Sequence, residues 1–276
     1  MKRLPWRRAF AIAGGLMLVW LFGVWPPPVW WRSHWPRETA MMREAAADRR
    51  TVHPTALPEI APLLQRMVII GEDSRFRTHH GIDFAEIADA LGVSHTSGLV
   101  GTARATWARR DRVRGASTIT QQLAKNLYLS SSRSALRKIK EAVTAVRLEL
   151  ALPKDRILEL YLAVAELGAN VWGVDAASRF YFGVPASALT ETQAAALAAT
   201  LPFPRSSNPA FRPERMLARR DLILARFHGV DVYIPPEEEI DSLPEIPPIA
   251  PPVIPTVLDT LPVDSIRDTV DSTSKN

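Results

Sequence analysis

Residues Gly115 to Asn126 read GASTITQQLAKN, a segment far more polar than the apolar-rich sequence around it. It brings hydroxyls, two adjacent glutamines, a lysine and an asparagine into about three helical turns. Ser117 or Thr118 is a suitable N-cap, because a side-chain hydroxyl accepts hydrogen bonds from the free amides at a helix start. The segment therefore predicts a helix that begins near Thr118 and carries many hydrogen-bonding groups.

Two interpretations of this helix remain open from the segment alone. Gln121 and Lys125 lie four residues apart and therefore share one face. A helix N-terminus with hydroxyls, followed by a lysine in the first turns, suits an anionic group, phosphate above all. A well-capped surface helix explains the same residues equally well.

Upstream, residues Gly71 to Phe84 read GEDSRFRTHHGIDF and place two carboxylates, Glu72 and Asp73, at the end of a predicted helix. The helix macrodipole disfavours carboxylates at that end, by about 0.3–1 kcal/mol each. This placement indicates a role for them, although a solvated loop carboxylate is the ordinary explanation. The adjacent pair His79–His80 lacks a metal-ligand spacing such as HExxH, so we predict no metal site there.

Downstream, residues Arg137 to Leu150 read RKIKEAVTAVRLEL. Arg137 and Glu141 are spaced i, i+4 with the arginine first, which is the weaker orientation for a helical ion pair. The pair is either surface charge or a cation and a carboxylate presented to one ligand. With Lys125 and Glu72, it forms a set that could bind a phosphorylated leaving group while a carboxylate removes a proton from an attacking hydroxyl.

The periodicity around these segments is helical. Apolar residues at 3.6-residue spacing predict a helix that runs into Glu72 (Ile60, Leu63, Leu64, Met67, Val68) and a long helix after Arg137 (Leu136, Ile139, Val143, Val146, Leu150). Capping boxes are predicted at Asp83 with Glu86 and at Thr190 with Gln193, and Pro153 precedes the helical pattern KDRILELYLAVAELG. Strand alternation is scarce, so the predicted fold class is mainly α.

The N-terminus predicts a membrane anchor. Four basic residues precede an uncharged run from Ala9 to Trp25, at the short end of what spans a bilayer, and tryptophans follow it. By the positive-inside rule, the N-terminus would lie in the cytoplasm. A cleaved signal peptide is the alternative, but no Ala-x-Ala site follows the run. The basic residues and the tryptophans are Lys2, Arg3, Arg7, Arg8, Trp25, Trp30, Trp31 and Trp35.

The composition of the sequence excludes some kinds of catalytic and metal site and favours one kind of partner. The 276 residues include no cysteine, which excludes disulfides, thiolate catalysis and cysteine zinc sites. A formal net charge of +5 favours anionic partners such as phosphates or lipid head groups. No nucleic-acid-binding motif accompanies this charge, so we predict no nucleic-acid partner.

From Tyr233 the sequence is rich in proline and acidic residues, which predicts an extended, disordered tail that the activity does not need. The predicted organisation is an anchor with a juxtamembrane segment (1–50), a helical domain (51–232) and the tail (233–276).

Taken together and in this order, the segments resemble the family of peptidoglycan glycosyltransferases. They are EDSRFRTHHGID, RGASTITQQLAKNLYLS, RKIKEAVTAVRLE, KDRILELYLAVAELGANVWGVDAASRFYFG and LTETQAAALAATLPFP, and they cover 71–204. The sequence ends without a penicillin-binding transpeptidase domain and so resembles a monofunctional member. The resemblance implies a lysozyme-like, two-lobed helical domain with a cleft, anchored in the bacterial inner membrane and facing the periplasm.

The resemblance also assigns roles. Glu72 would be the general base that deprotonates the 4-hydroxyl of the acceptor, lipid II, with inversion at the donor sugar and release of undecaprenyl diphosphate. Glu141 would be the second essential glutamate. Substrate binding is assigned to ten residues, of which the first two would contact the donor diphosphate: Lys125, Arg137, Ser117, Thr118, Gln121, Gln122, Asn126, Asp73, Phe76 and His79. A divalent cation, Mg²⁺ or Mn²⁺, at that diphosphate is compatible with the family's chemistry, and no other cofactor is expected.

Two features depart from the family pattern. The family's Tyr-Leu-Asn reads Tyr161-Leu162-Ala163 here, and the segment 92–114 is longer than usual and carries five arginines. Those arginines could contact anionic lipid or the donor, or form a solvated basic loop. The partners implied are lipid II, the growing glycan on undecaprenyl diphosphate, the membrane and other cell-wall synthesis proteins. The rival interpretations are a lytic glycosidase of similar fold and an inactive scaffold of the cell-wall machinery.

Overall fold

The structure, a computed structural model, describes residues 6–45, 52–91, 117–130, 132 and 134–235, which all lie within one compact unit. The predictions for the basic segment 92–114 and for the tail beyond residue 235 therefore fall almost entirely outside the described residues. The predicted boundaries of the anchor, domain and tail remain predictions.

The described residues are mainly helical, as predicted. The α-helices are α1 (Trp6–Phe22), α2 (Ala40–Glu44), α3 (Pro62–Glu72), α4 (Phe84–Leu91), α5 (Ile119–Tyr128), α6 (Ala135–Ala151), α7 (Lys154–Val164), α8 (Val174–Phe182), α9 (Glu191–Thr200) and α10 (Glu214–Phe227). Short 3₁₀ turns cover Pro28–Arg32, Leu57–Glu59 and Ala186–Ala188. One antiparallel hairpin joins β1 (Glu166–Gly168) to β2 (Val171–Trp172), so the predicted helix from Pro153 ends earlier than its apolar pattern indicated.

The helix starts follow the capping residues of the sequence. Thr118 caps α5 and Thr190 caps α9, each in a complete capping box with the glutamine three residues later. At α4 only half of the predicted box forms. Asp83 accepts the amides of Ala85 and Glu86, whereas the Glu86 carboxylate pairs with Arg75 instead of returning to the backbone.

Two groups of helices enclose a common apolar core. In one group, α3 packs against α9 and α10, and in the other, α5 packs against α6 and α7. Helix α7 is almost wholly buried from Ile157 to Val164, and the alanine-rich α9 is buried from Ala194 to Thr200. Glu72 is the last residue of α3, at the helix end where the sequence predicted it. Side chains of α5 and α10 contact it there.

The long helix predicted from the apolar stripe is confirmed as α6, and three residues of that stripe point away from the core. Leu136, Ile139 and Leu150 are exposed by 53%, 43% and 80%, while Glu141 and Leu148 are buried on the opposite face. That opposite face packs against α5, where Thr120 Oγ1 donates to Glu149 Oε1 at 2.6 Å. The stripe predicted the helix correctly but not the direction in which it points.

The N-terminal segment forms α1, a helix of 17 residues whose apolar side chains are widely exposed, for example Phe10 by 71% and Leu16 by 65%. Among the helices of the described residues, none combines the length and the apolar content that crossing a bilayer requires. The membrane-spanning helix predicted over Ala9–Trp25 is therefore not confirmed.

The tryptophans after α1 divide into two pairs. Trp25 and Trp30 are exposed by 85% and 47%. Trp31 is buried and donates from Nε1 to the Tyr128 hydroxyl at 2.5 Å, and Trp35 stacks under the Arg156 guanidinium at 4.2 Å. The segment that follows α1 is thus attached to α5 through Trp31 and to α7 through Trp35.

Candidate active site

Glu72 is the last residue of α3, and its side chain is only 8% exposed. Its Oε2 accepts a hydrogen bond from Gln122 Nε2 at 2.9 Å, and its Oε1 lies 3.3 Å from Arg219 Nη2. Each carboxylate oxygen has two lone pairs, so these two donors still leave acceptor positions for a further hydroxyl. Glu72 is therefore held from α5 and α10 and keeps the capacity to accept a proton.

Gln122 is itself held in place by α7. The Tyr161 hydroxyl donates to Gln122 Oε1 at 2.8 Å, which fixes the amide so that its nitrogen faces Glu72. Burial raises the pKa of Tyr161 well above its ordinary value, and the nearby charges of Glu72 and Asp73 add to this rise. Tyr161 therefore stays protonated at neutral pH and remains a hydrogen-bond donor.

Asp73 joins the end of α3 to the start of α5. Its Oδ2 accepts the Ile119 amide at 2.9 Å, and the His79 ring nitrogen Nε2 lies 2.9 Å from both carboxylate oxygens. The Gln121 amide donates to the Thr118 hydroxyl. These amides at the start of α5 are already bonded within the protein. Of the two interpretations of this helix start, the geometry therefore favours the capped helix over a phosphate site at these amides.

Glu141 lies on the buried face of α6 and is 2% exposed. Arg137 Nη1 donates to one carboxylate oxygen at 2.6 Å, and Lys138 Nζ pairs with the other. The Nε of Arg137 is buried and has no hydrogen-bond partner among the residues that the structure describes. The predicted i, i+4 pair is therefore real, and it is part of a three-residue cluster of two cations around one buried carboxylate.

A continuous series of contacts links the two glutamates. Gln122 Nε2 contacts both Glu72 and, at 3.5 Å, the carbonyl oxygen of Ser117. The Ser117 hydroxyl in turn accepts from Lys138 Nζ at 2.8 Å, and Lys138 pairs with Glu141. The structure thus brings the end of α3, the start of α5 and the first turns of α6 to one place.

The other residues assigned to substrate binding occupy different positions. Thr118, Gln121 and Asn126 are buried, and the first two form the capping box of α5. Phe76 is completely buried, with the Lys154 ammonium 4.4 Å from its ring centroid. Lys125 is half-buried on α5, one turn after Gln122. Thr118, Gln121 and Phe76 thus have clear structural roles, and their assignment to substrate binding remains a prediction.

One cluster has the geometry to hold a metal ion. Ligand atoms of Asp73, His79 and Asp83 lie within 4.8 Å of one another. Each side chain is already bonded, however, since Asp83 accepts from Arg75 Nε at 2.7 Å and Asp73 accepts from Ile119 and contacts His79. Arg75 and the amide at Glu86 hold the pKa of Asp83 below its ordinary value despite partial burial. These contacts explain the cluster as a structural support for the loop after α3.

Ala163, where the family carries asparagine, is 1% exposed and belongs to the apolar core. Its carbonyl oxygen lies against Gly173, where an added Cβ would come within 2.7 Å. Gly173 also has a φ of +84°, which favours glycine. These contacts belong to the backbone of residue 163, which an asparagine would share, and nothing in the structure explains the substitution itself.

Sequence reasoning missed three residues of the site: Lys138, Tyr161 and Arg219. Lys138 stands three residues before Glu141, so the spacing of the RKIKE segment contained the signal. Arg219 falls at helical spacing between Met216 and Ile223, the buried residues of α10. A charged residue in the middle of an apolar stripe is the pattern that could have identified it. For Tyr161, an aromatic residue within an apolar helix, the sequence carried no distinguishing signal.

Known proteins with similar sequences indicate the family of this chain. The sequence profile described as Transglycosylase matches residues 38–228. A biosynthetic peptidoglycan transglycosylase of an Azoarcus species is 41% identical over 239 residues, which is 82% of this chain and 97% of the relative. Relatives with the same name from Bordetella avium and Thiobacillus denitrificans are each 37% identical, over 79% and 82% of this chain and 90% and 97% of their own lengths.

The match covers the helical domain that holds Glu72 and Glu141, and the relatives are covered over nearly their whole length. The chain therefore belongs to the transglycosylase family and is a peptidoglycan glycosyltransferase.

Proposed function

We propose that this enzyme polymerises lipid II into glycan strands in cell-wall synthesis and releases undecaprenyl diphosphate. The names of the relatives supply the reaction class. The observation that carries the proposal is the series of contacts from Glu72 through Gln122, Ser117 and Lys138 to Glu141, which joins a candidate base to a cationic cluster. Transfer of a sugar from a diphosphate needs, at one site, a base for the acceptor hydroxyl and cations for the leaving diphosphate.

Glu72 is suited to act as the base. The 4-hydroxyl of the acceptor sugar would donate to a free lone pair of Glu72 and pass its proton to the carboxylate as the oxygen attacks the anomeric carbon of the donor. The new bond joins that oxygen to the anomeric carbon, while the bond from this carbon to the diphosphate oxygen breaks. Attack from the face opposite the leaving group inverts the anomeric configuration.

The leaving diphosphate takes the electron pair of the broken bond and must be stabilised as an anion. Arg137 and Lys138 hold Glu141 with some of their N–H groups, and Arg137 Nε has no hydrogen-bond partner in the described structure. We propose that further N–H groups of these two cations, with Lys125, bind the diphosphate. Because Glu141 fixes both cations before the substrate arrives, the transition state gains their charge with little reorganisation.

A divalent cation at the diphosphate is compatible with the family, but it is not required by this arrangement. Mg²⁺ or Mn²⁺ bound through Glu141 would share that carboxylate with Arg137 and Lys138, which each occupy one of its oxygens. The two cations already compensate the charge of the buried carboxylate. No step of the proposed mechanism therefore passes through a metal.

Alanine variants of the donor site test the proposal. Replacing Lys125 or Arg137 by alanine should raise KM for lipid II or lower kcat/KM by at least about tenfold, because a charged hydrogen bond to a buried anion contributes roughly 1.5–3 kcal/mol. The measurement is continuous polymerisation of lipid II, with thermal unfolding in parallel. Arg179→Ala, which removes a largely exposed arginine on α8, is the matched control. Parent-like kcat/KM in both variants would refute the assignment of the diphosphate site.

We also propose that the N-terminal segment holds the catalytic domain at the periplasmic face of the inner membrane. Glycan synthesis belongs to the cell envelope, and α1 presents apolar side chains on a helix preceded by basic residues. The exposed Trp25 and Trp30 and the exposed stripe of α6 support the same location, since aromatic and apolar side chains favour the interface of a bilayer.

Fractionation of cells tests this location. We expect the full chain to stay with membranes after washing at alkaline pH, to be accessible to protease in spheroplasts, and to be found by N-terminal sequencing with its first 25 residues intact. A variant lacking residues 1–25 should leave the membrane fraction in large part. Recovery of the full chain in the soluble fraction, or a mature N-terminus beyond Trp25, would contradict the proposal.

A further inference from the structure

Arg219 on α10 is the one lysine or arginine in the described ranges that the fold buries almost completely, with 4% of its surface exposed. Buried arginines are uncommon in proteins unless their N–H groups are paired. Arg219 Nη2 donates to the carbonyl oxygen of Gly71 at 2.5 Å and lies 3.3 Å from Glu72 Oε1. Nη1 donates to the carbonyl oxygen of Pro235 at 2.7 Å.

The first two contacts lie at the C-terminal end of α3. Carbonyl groups in the last turn of a helix lack partners within the helix, and the macrodipole there is negative. A carboxylate at this end is disfavoured, which is the conflict that the sequence raised for Glu72. The buried guanidinium of Arg219 resolves the conflict because it satisfies the Gly71 carbonyl and places a positive charge beside Glu72.

Close packing brings α10 to this position. A Cβ added to Gly71 would lie 3.0 Å from Cδ1 of Ile223, so the glycine allows α10 to lie directly on the last turn of α3. Ile223 is one turn after Arg219 on the same buried face of α10. The backbone position of Glu72 and the guanidinium that contacts it are therefore fixed by one helix–helix contact.

The third contact involves residues that follow the helical domain. After α10 the chain returns towards Arg219, so that Ile234 packs on the core and the Pro235 carbonyl accepts from Nη1. Among the described residues, the Nε of Arg219 has no hydrogen-bond partner. Loss of the Pro235 acceptor would leave Nη1 of this buried guanidinium without the partner it has here. Arg219 is thus held between Glu72 on one side and the start of the C-terminal segment on the other.

We infer that Arg219 is a positioning residue for Glu72 and that residues 233–235 complete the active site by holding Arg219 in place. This inference rests on the proposed role of Glu72 as the base. It revises the expectation that the whole tail from Tyr233 is dispensable, because the last three described residues belong with the catalytic domain. Residues after Pro235 take no part in the inference.

Two variants of Arg219 test the first half of the inference. Arg219→Gln should lower kcat by about 10- to 100-fold with KM for lipid II and affinity for a moenomycin-like donor analogue within about threefold of the parent, since misplacement of a catalytic group by about 1 Å costs on this order. Arg219→Lys, which keeps the charge but cannot reach all three acceptors, should fall between. Arg220→Gln, at the neighbouring half-buried arginine that pairs with Asp221, is the control and should behave as the parent.

A double variant separates this inference from the proposed function. If Arg219 acts through Glu72, adding Arg219→Gln to Glu72→Gln should cause no further loss of kcat, whereas independent effects would multiply. Multiplying effects, or a parent-like kcat in Arg219→Gln, would overturn the inference while leaving Glu72 as the base. A parent-like kcat in Glu72→Gln would instead overturn the proposed function.

Two truncations test the second half without touching Arg219. A chain that ends at Glu239 keeps Pro235 and its carbonyl group, and it should polymerise lipid II at the parent rate. A chain that ends at Val232 removes that carbonyl and Ile234, and it should lose at least about fivefold in kcat, because a misplaced catalytic group lowers the rate steeply. If the two truncated enzymes had the same kcat, whether at the parent rate or equally reduced, the role of residues 233–235 would be overturned.

Discussion

Glu72→Gln should fold, bind a moenomycin-like donor analogue and yet polymerise lipid II about 10²- to 10⁴-fold more slowly than the parent, which is the range that general-base catalysis contributes. The amide keeps the size of the side chain and can still accept from Gln122 or Arg219. It cannot take up a proton at neutral pH, so only the chemical step should suffer. The measurement is the initial rate of polymerisation with saturating lipid II, together with binding of the analogue.

The control for this variant is Glu191→Gln, which makes the same chemical change at an exposed position at the start of α9. Its rate should equal that of the parent. If Glu72→Gln polymerised lipid II within a few-fold of the parent, Glu72 would not be the base, and Asp73 or Glu141 would be the nearest carboxylates to take its place. Both oxygens of Glu141 are paired with cations at short distance, and those of Asp73 contact His79 and Ile119. Glu72 instead accepts from the neutral Gln122 amide, and the cation beside it, Arg219, lies 3.3 Å away.

The second large effect is expected at Glu141. Glu141→Gln removes the buried negative charge between Arg137 and Lys138 and leaves two cations close together with no counter-charge. Both side chains should then leave their positions, so the variant should lose donor-analogue affinity as well as rate, by about tenfold or more in each, since charged hydrogen bonds contribute about 1.5–3 kcal/mol. Titration of the analogue and the polymerisation rate measure the two losses.

This pattern differs from that of Glu72→Gln, in which binding of the analogue is retained. Because Glu141 is buried, thermal unfolding must accompany the titration, and Asp155→Asn, at an exposed ion pair with Arg77, controls for loss of an exposed carboxylate. A Glu141→Gln enzyme that binds the analogue as the parent does would show that Glu141 does not organise the donor site.

Local sequence patterns predicted the parts of the fold that local interactions determine. The capping residues Thr118 and Thr190 start α5 and α9 where the sequence indicated, because a capping box involves only residues within one turn. The pair Arg137–Glu141 was likewise predictable, since an i, i+4 contact is a property of the helix itself.

What the sequence could not supply was the direction in which each helix faces. The apolar stripe of α6 would ordinarily mark the buried face, yet α5 packs on the side that carries Glu141. Leu136, Ile139 and Leu150 of the stripe are left exposed, and α1 packs on α6 near Lys140 and Trp20. Amphipathicity measures only that two faces differ, and tertiary packing decides which of them is covered.

The candidate site likewise has residues that local motifs identified and residues that they did not. Glu72 and Glu141 were assigned from motifs, but the residues that hold Glu72 come from elements far away in sequence. Arg219 is 147 positions from Glu72, and Tyr161 is 39 positions from Gln122. Contacts of this kind depend on how α7 and α10 approach α3 and α5, so no spacing rule within a single segment can reveal them.

One assay tests most directly whether this enzyme is a glycosyltransferase with Glu72 as its base. The purified parent enzyme and Glu72→Gln are compared side by side, each supplied either with lipid II or with finished, uncrosslinked glycan. A lytic glycosidase would cut the finished glycan and would need no diphosphate on its substrate, and an inactive scaffold would act on neither. We expect the parent to convert lipid II to β-linked glycan with release of undecaprenyl diphosphate. Glu72→Gln should do so about 10²- to 10⁴-fold more slowly, and neither enzyme should shorten finished glycan. Cleavage of finished glycan by the parent, or no polymer from lipid II, would contradict this expectation.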